Sequence, residues 1–186
     1  MADSLPLSRG AAMPAEQRVH MNDPDAAATL AGLLRRLWAA LRPPTLILCI
    51  GTDRSTGDAL GPLVGSRLMR AHLPGIRIAG TLDHPVHAAN LPGALRELRL
   101  TEATVLAVDA CLGRLETIGT ISLGRGAIRP GAGVNKSLPA VGDYHITATV
   151  NVGGFMEYFV LQNTRLAVVM KMADIIADAL IESLSG

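Results

Sequence analysis

Aromatic rings are scarce in this chain: Trp38, Tyr144, Phe155, Tyr158 and Phe159 make up 3% of its 186 residues. That is too few, and too clustered, for the stacked rings beside cations on which nucleic-acid platforms depend. Charge is scarce too, at 18%, with 17 Lys and Arg against 16 Asp and Glu and a formal net charge of +1. No bulk field is left to draw in DNA, RNA or an anionic lipid surface. Cys49 and Cys111 are the only cysteines. Each lies in or just after an apolar run and there is no CxxC, which excludes a disulfide framework, a redox pair and a structural zinc site. Both suit the reduced, buried thiols of a cytosolic protein. No uninterrupted apolar stretch reaches the roughly 18 residues needed to span a bilayer. The opening segment MADSLPLSRGAAMPAEQRVH lacks the continuous apolar core of a signal peptide. The expected location is the cytoplasm.

What is abundant is aliphatic: apolar residues reach 49%, ample for a buried core of Leu, Ile, Val, Ala and Met. At this length one domain is expected. Residues 1–24 mix Pro, Ser, Gly and charge without periodicity and are expected to form a mobile tail, with the folded domain over 25–186. Leu30, Leu33, Leu34, Leu37, Trp38 and Leu41 have helical spacing up to Pro43-Pro44. Leu46 to Ile50 is a continuous apolar run of the kind found in a strand covered on both faces. A glycine-rich stretch follows, then a helical pattern through about Ala71, a strand over Ile76–Gly80, a helix over Ala88–Leu98, and a third strand, Thr104–Val108, ending at Asp109. Thr117–Leu123 alternates as a strand nearer an edge would, and 124–144 is rich in Gly, Pro and Asn and reads as a long loop. A strand over Ile146–Val150 and helices over Gly154–Gln162 and Thr164–Leu184 complete the pattern. Alternating strands and helices without repeats predict a three-layer α/β/α domain with a mostly parallel twisted sheet. In such sheets the site lies outside the carboxyl ends of the strands. Asp53 and Asp58 follow the first strand, Asp83, His84 and His87 the second, and Asp109 ends the third, so these groups should converge on one edge.

The loop Gly51–Gly61 is no P-loop: no Lys follows its glycines, and Asp53 and Asp58 would repel a phosphate. No GxGxxG follows any strand. Alone, Asp58 reads first as a helix cap. Asp109 follows five uncharged residues. Burial raises a carboxyl pKa, and two carboxyls sharing a site push one of the pair higher still. Such a pair can share a proton and activate water, or hold a divalent metal. His84 and His87 flank Pro85, which spoils a helical ligand pair, and His145 at a loop-to-strand junction reads as structural unless a ligand partner is found. Ser55 has no GxSxG context. Cys111 could act as a nucleophile with His145, but reads first as a small buried hydrophobe. The sequon Asn135-Lys136-Ser137 carries no meaning in a cytoplasmic protein.

CIGTDRSTGDALGPLVG, GTLDHPVHAANL, VDACLGR, GAIRPGAGVNKSLPAVGDYHITATVNVGGFMEY and VLQNTRL together resemble the YyaC family of spore-former proteins, over roughly 45–182. That family is related to the germination protease of spores and to the hydrogenase maturation proteases, and the resemblance implies their fold. Asp58-Ala59-Leu60-Gly61-Pro62, Val108-Asp109-Ala110-Cys111, Thr120-Ile121-Ser122-Leu123 and Gly126–Gly133 resemble elements of the germination protease, whose aspartate pair carries over onto Asp58 and Asp109. The nickel-binding Glu, Asp and His of the hydrogenase maturation proteases are similar in position to Asp58, Asp109 and His145; Asp58 is one methylene shorter than their Glu.

The resemblance therefore implies a sporulation-associated hydrolase of protein or peptide substrates with Asp58 and Asp109 as catalytic pair. Its variant mechanism uses a divalent metal held by Asp58, Asp109 and His145. Candidate substrate-binding residues are Asp53, Arg54, His87, Gly131, Gly133, Asn135 and Lys136, with Arg54 or Lys136 and the Gly131–Gly133 amides facing an oxyanion. The rival expectations are a non-catalytic binding or regulatory sporulation protein on the same scaffold, and a small-molecule amide hydrolase. No nucleic-acid or membrane partner is expected, and the sequence assigns no oligomeric state.

Overall fold

The structure, a computed structural model, describes residues 16–39, 41, 45–98, 103–131 and 138–185. Strand β2, Thr45–Cys49, is buried at every residue. Alternate side chains serve opposite cores: Ile47 and Cys49 join one apolar cluster, Leu46 and Leu48 the other. Burial pushes the Cys49 thiol up to about 12, so it is an inert core residue. Parallel to β2 run β3, Ile76–Ala79, on one side and β4, Thr104–Gly113, on the other. Strand β6, Tyr144–Val152, continues the parallel set beside β4. β5, Thr120–Arg125, returns antiparallel against β6, and β1, Glu16–His20, closes that side antiparallel to β5. The sheet order is β1-β5-β6-β4-β2-β3.

Helices α1 (Ala26–Trp38), α2 (Leu60–Ala71) and α5 (Leu166–Leu184) bury their apolar stripes in the first cluster, on one face. Helix α3 (Leu91–Glu97) covers the other face through Leu91, together with Val86, Leu138 and Val141. The expected three-layer α/β/α domain is therefore present. Between α2 and α5, Arg67 reaches Asp174 at 2.8 Å and Asp178 at 2.6 Å, and the Trp38 indole donates to Ser183 Oγ at 2.8 Å. Among the described residues no helix is long and apolar enough to cross a membrane.

Four expectations change. The tail expected over 1–24 contains strand β1, whose Val19 is buried opposite Ile121. The third parallel strand does not stop at Asp109 but continues to Gly113, because β6 keeps pairing with it. The strand expected nearer an edge over Thr117–Leu123 is β5, one in from the edge strand β1, and it runs over Thr120–Arg125. Helices expected from Ala88 and Gly154 begin at Leu91 and Glu157.

Candidate functional site

Helix α2 carries glycines one turn apart that let backbone approach backbone. A Cβ on Gly61 would collide with the Ile50 carbonyl, and one on Gly65 with that of Gly80. One turn earlier, Gly57 starts the short 3-10 turn Gly57–Ala59, and a Cβ there would lie 2.7 Å from Leu161 Cδ2 and 3.1 Å from Leu161 Cα. Gly51, at φ 142°, has room for no Cβ because the Asp58 carbonyl lies there, and that carbonyl accepts from Thr52 N–H at 3.1 Å. This close packing sets Asp58 above the end of β2, beside the part of β4 that runs on past it.

Asp109 lies at the start of that overhang, opposite Thr147 of β6. Two cavities, of about 350 and 330 Å³, share the wall formed by Asp58, Asp109, Gly131 and Leu161. Ala110, Cys111, Leu112, Ile128, Arg129, Thr147 and Glu157 line the first; Ile50, Arg54, Ser55, His87 and Tyr158 are among those lining the second. Leu161 belongs to helix α4, Glu157–Gln162, which borders both.

The electrostatics are asymmetric. Burial holds the Asp109 carboxyl well above the ordinary carboxylate range, the charge of Asp58 raises it further, and the Ala110 N–H opposes the rise. Burial also raises Asp58, against the Ser55 hydroxyl beside it. Ser55 is itself buried, and its Oγ completes no hydrogen bond of good geometry within the described chain. Burial raises the Cys111 thiol as well, its Sγ lies 3.5 Å from Thr149 Oγ1, and it does not have the depressed pKa of an activated nucleophile.

Of the residues singled out in the sequence, Asp58, Asp109, Arg54, His87 and Gly131 come together at the shared cavities. Asp53 is exposed and lines neither cavity. Gly133, Asn135 and Lys136 lie outside the described residues. His145 stands apart: it pairs with Ala107, two residues behind Asp109 on the ladder, and its Nδ1 donates to the Gly126 carbonyl at 2.9 Å. Its ring lies over Gly124, where a Cβ would come 2.5 Å from Nε2. A divalent metal on Asp58, Asp109 and His145 does not fit this donor set, and among the described residues no three His, Cys, Asp or Glu side chains gather as a metal site. The residues sequence reasoning missed are Ser55 as a partner of Asp58, and Arg129, Thr147, Glu157 and Tyr158 as cavity walls. The alternation Thr147, Thr149 along β6 was the one usable signal, since it puts both on the face shared by Asp109 and Cys111.

The fold is similar to that of the crystal structure of a [NiFe] hydrogenase maturation protease HycI from Thermococcus kodakarensis KOD1, with a TM-score of 0.58 and 18% identity, over 83% of this chain and 99% of that one. The sequence is 47% identical over 182 residues to "Uncharacterized protein YyaC" of Bacillus subtilis (strain 168), spanning 92% of this chain and 87% of that protein. Residues 18–179 match the family described as "Protein of unknown function (DUF1256)", and the chain belongs to that family.

Proposed function

We propose that this protein hydrolyses peptide bonds in a sporulating cell's cytoplasm, with Asp58 and Asp109 as its catalytic pair. The observation that carries the reading is that both carboxyls line both cavities while the charge of one raises the pKa of the other. Two carboxyls whose surroundings push their pKa values apart divide into base and acid. Asp58, with the Ser55 hydroxyl beside it, is the partner that stays ionised and accepts a proton from the attacking water. Asp109, the more strongly raised, keeps its proton and gives it to the scissile amide as the tetrahedral carbon forms and collapses. Arg129 in one cavity and Arg54 in the other are the cations available to a developing oxyanion. No step passes through a metal. The scaffold's likeness to a protease supports the reading at the level of fold, and the function rests on the site.

The test is hydrolysis of a quenched-fluorescent mixed-sequence octapeptide library by wild type, Asp58→Asn and Asp109→Asn. Each substitution should cut the rate by at least about a hundredfold, the usual scale of a lost general acid or base, while melting shows a folded protein. Activity persisting in both single variants would overturn it.

A further inference from the structure

The two strands flanking the site end at different heights. β2 pairs with β4 as far as Cys49 opposite Val108, and the Ile50 N–H then donates to the Val108 carbonyl at 2.7 Å. Beyond that rung β4 runs on through Asp109, Ala110, Cys111 and Leu112 to Gly113, paired only with β6. Main-chain groups of successive strand residues face opposite edges. Since Val108 offers its carbonyl to the β2 side, Ala110 presents its own to the same side, where β2 is no longer present. Past the register shift between Cys111 and Leu112, the Gly113 carbonyl accepts from Gly153 N–H at 2.8 Å on the β6 side, which leaves Leu112 facing the β2 side. The Ala110 N–H turns to the Asp109 carboxyl. Among the described residues, the Ala110 carbonyl and the Leu112 N–H and carbonyl take part in no hydrogen bond outside the β4–β6 ladder. Both residues line the cavity that also holds Asp58 and Asp109. Partly buried main-chain groups of this kind call for hydrogen-bonding partners.

We infer that the substrate binds as an added strand, an extended peptide that continues the ladder of β2 along the overhang of β4 and so crosses the carboxyl pair. This rests on the peptide-hydrolase reading and names what the site recognises: main-chain amides in extended form, with the Leu112 N–H donating to a peptide carbonyl and the Ala110 carbonyl accepting a peptide N–H. Such recognition is tolerant of side chains and intolerant of lost main-chain donors. It also favours unfolded or loop segments over helices, whose amides are already satisfied.

The experiment takes one cleaved octapeptide and N-methylates its residues in turn. Methylation at alternate positions should raise KM about tenfold, the worth of one hydrogen bond, and the intervening positions should be tolerated. Leu112→Pro removes the N–H on the free edge, where proline is compatible with a strand; it should raise KM by a similar factor beyond the effect of Leu112→Ala, which loses the side chain but keeps the N–H. Because Leu112→Pro can fail to fold, amide exchange provides an independent readout. Unmethylated peptide bound to Asp109→Asn should slow exchange at Leu112 about tenfold and leave Cys111, already laddered to β6, unchanged. If peptides are cleaved but methylation is tolerated throughout and Leu112 exchange does not move, strand addition is overturned and the hydrolase reading stands. If no peptide is cleaved, the hydrolase reading falls, and exchange at Leu112 in wild type with the same library alone decides strand addition.

Discussion

The carboxyl of Asp109 carries a pH dependence whose sign follows from its surroundings. In the unfolded chain it titrates near 3.8, and in the folded chain it holds its proton to higher pH. Stability from this group is therefore full below the unfolded value and lost as pH rises through the folded one; Asp58 shifts the same way. Urea midpoints of wild type should fall as pH rises above the unfolded value of 3.8, and Asp109→Asn, which cannot ionise, should flatten that fall. Ser55 makes the complementary prediction. Ser55→Ala removes the hydroxyl that opposes the rise of Asp58, so the Asp58 carboxyl should titrate higher, read by carbon NMR or by a shift of the acidic limb of the rate profile to higher pH. Stability should change by less than about 1 kcal/mol, because the hydroxyl has no complete hydrogen bond to lose. The two aspartates were legible in the sequence, because each follows an apolar strand that ends in a polar break. Ser55 was not: its importance comes from burial beside Asp58, and a serine in a glycine-rich loop looks alike whether buried or wet.

At the scale of elements, the glycines of the α2 segment hold the site together, and each tests a different contact. Gly57→Ala presses a methyl 2.7 Å from Leu161 Cδ2 and 3.1 Å from its carbonyl. The Leu161 side chain must turn aside and the backbone of helix α4 must give slightly at the shared cavity wall, at a cost of about 1–3 kcal/mol, and hydrolysis should fall further than the melting temperature suggests. Gly61→Ala meets the Ile50 carbonyl itself, so sheet and helix must part; its loss of stability should reach or exceed the upper end of that range. At the other end of α2, His72 closes the helix in the left-handed region at φ 50°. His72→Gly relieves that strain and should raise stability by about 1 kcal/mol in thermal melts. Helices α1, α2 and α5 were readable from their apolar stripes. The length of β4 was misread because Asp109 interrupts an apolar run. Polarity there marks the end of β2's cover on one side, while pairing with β6 carries the strand on to Gly113.

For the whole molecule, a three-layer domain with a parallel centre was legible because strands covered on both faces leave unbroken apolar runs. β1 was not, since Glu16, Arg18 and His20 give it an exposed face and Val19 alone is buried. Its role can be tested by a chain beginning at Met21. That truncation should lower the melting temperature and, by uncovering the outer edge of β5, promote self-association visible in sedimentation. The same pairing has a consequence in time. Val19 lies opposite Ile121 and His20 opposite Thr120, so the strand that comes first in the chain among those of the sheet has no partner until the chain has been made as far as β5. Contacts so distant along the chain close late, after nearer pairings have shortened the loop between them. That side of the sheet is thus sealed late, by a strand that precedes every other strand of the sheet in the chain.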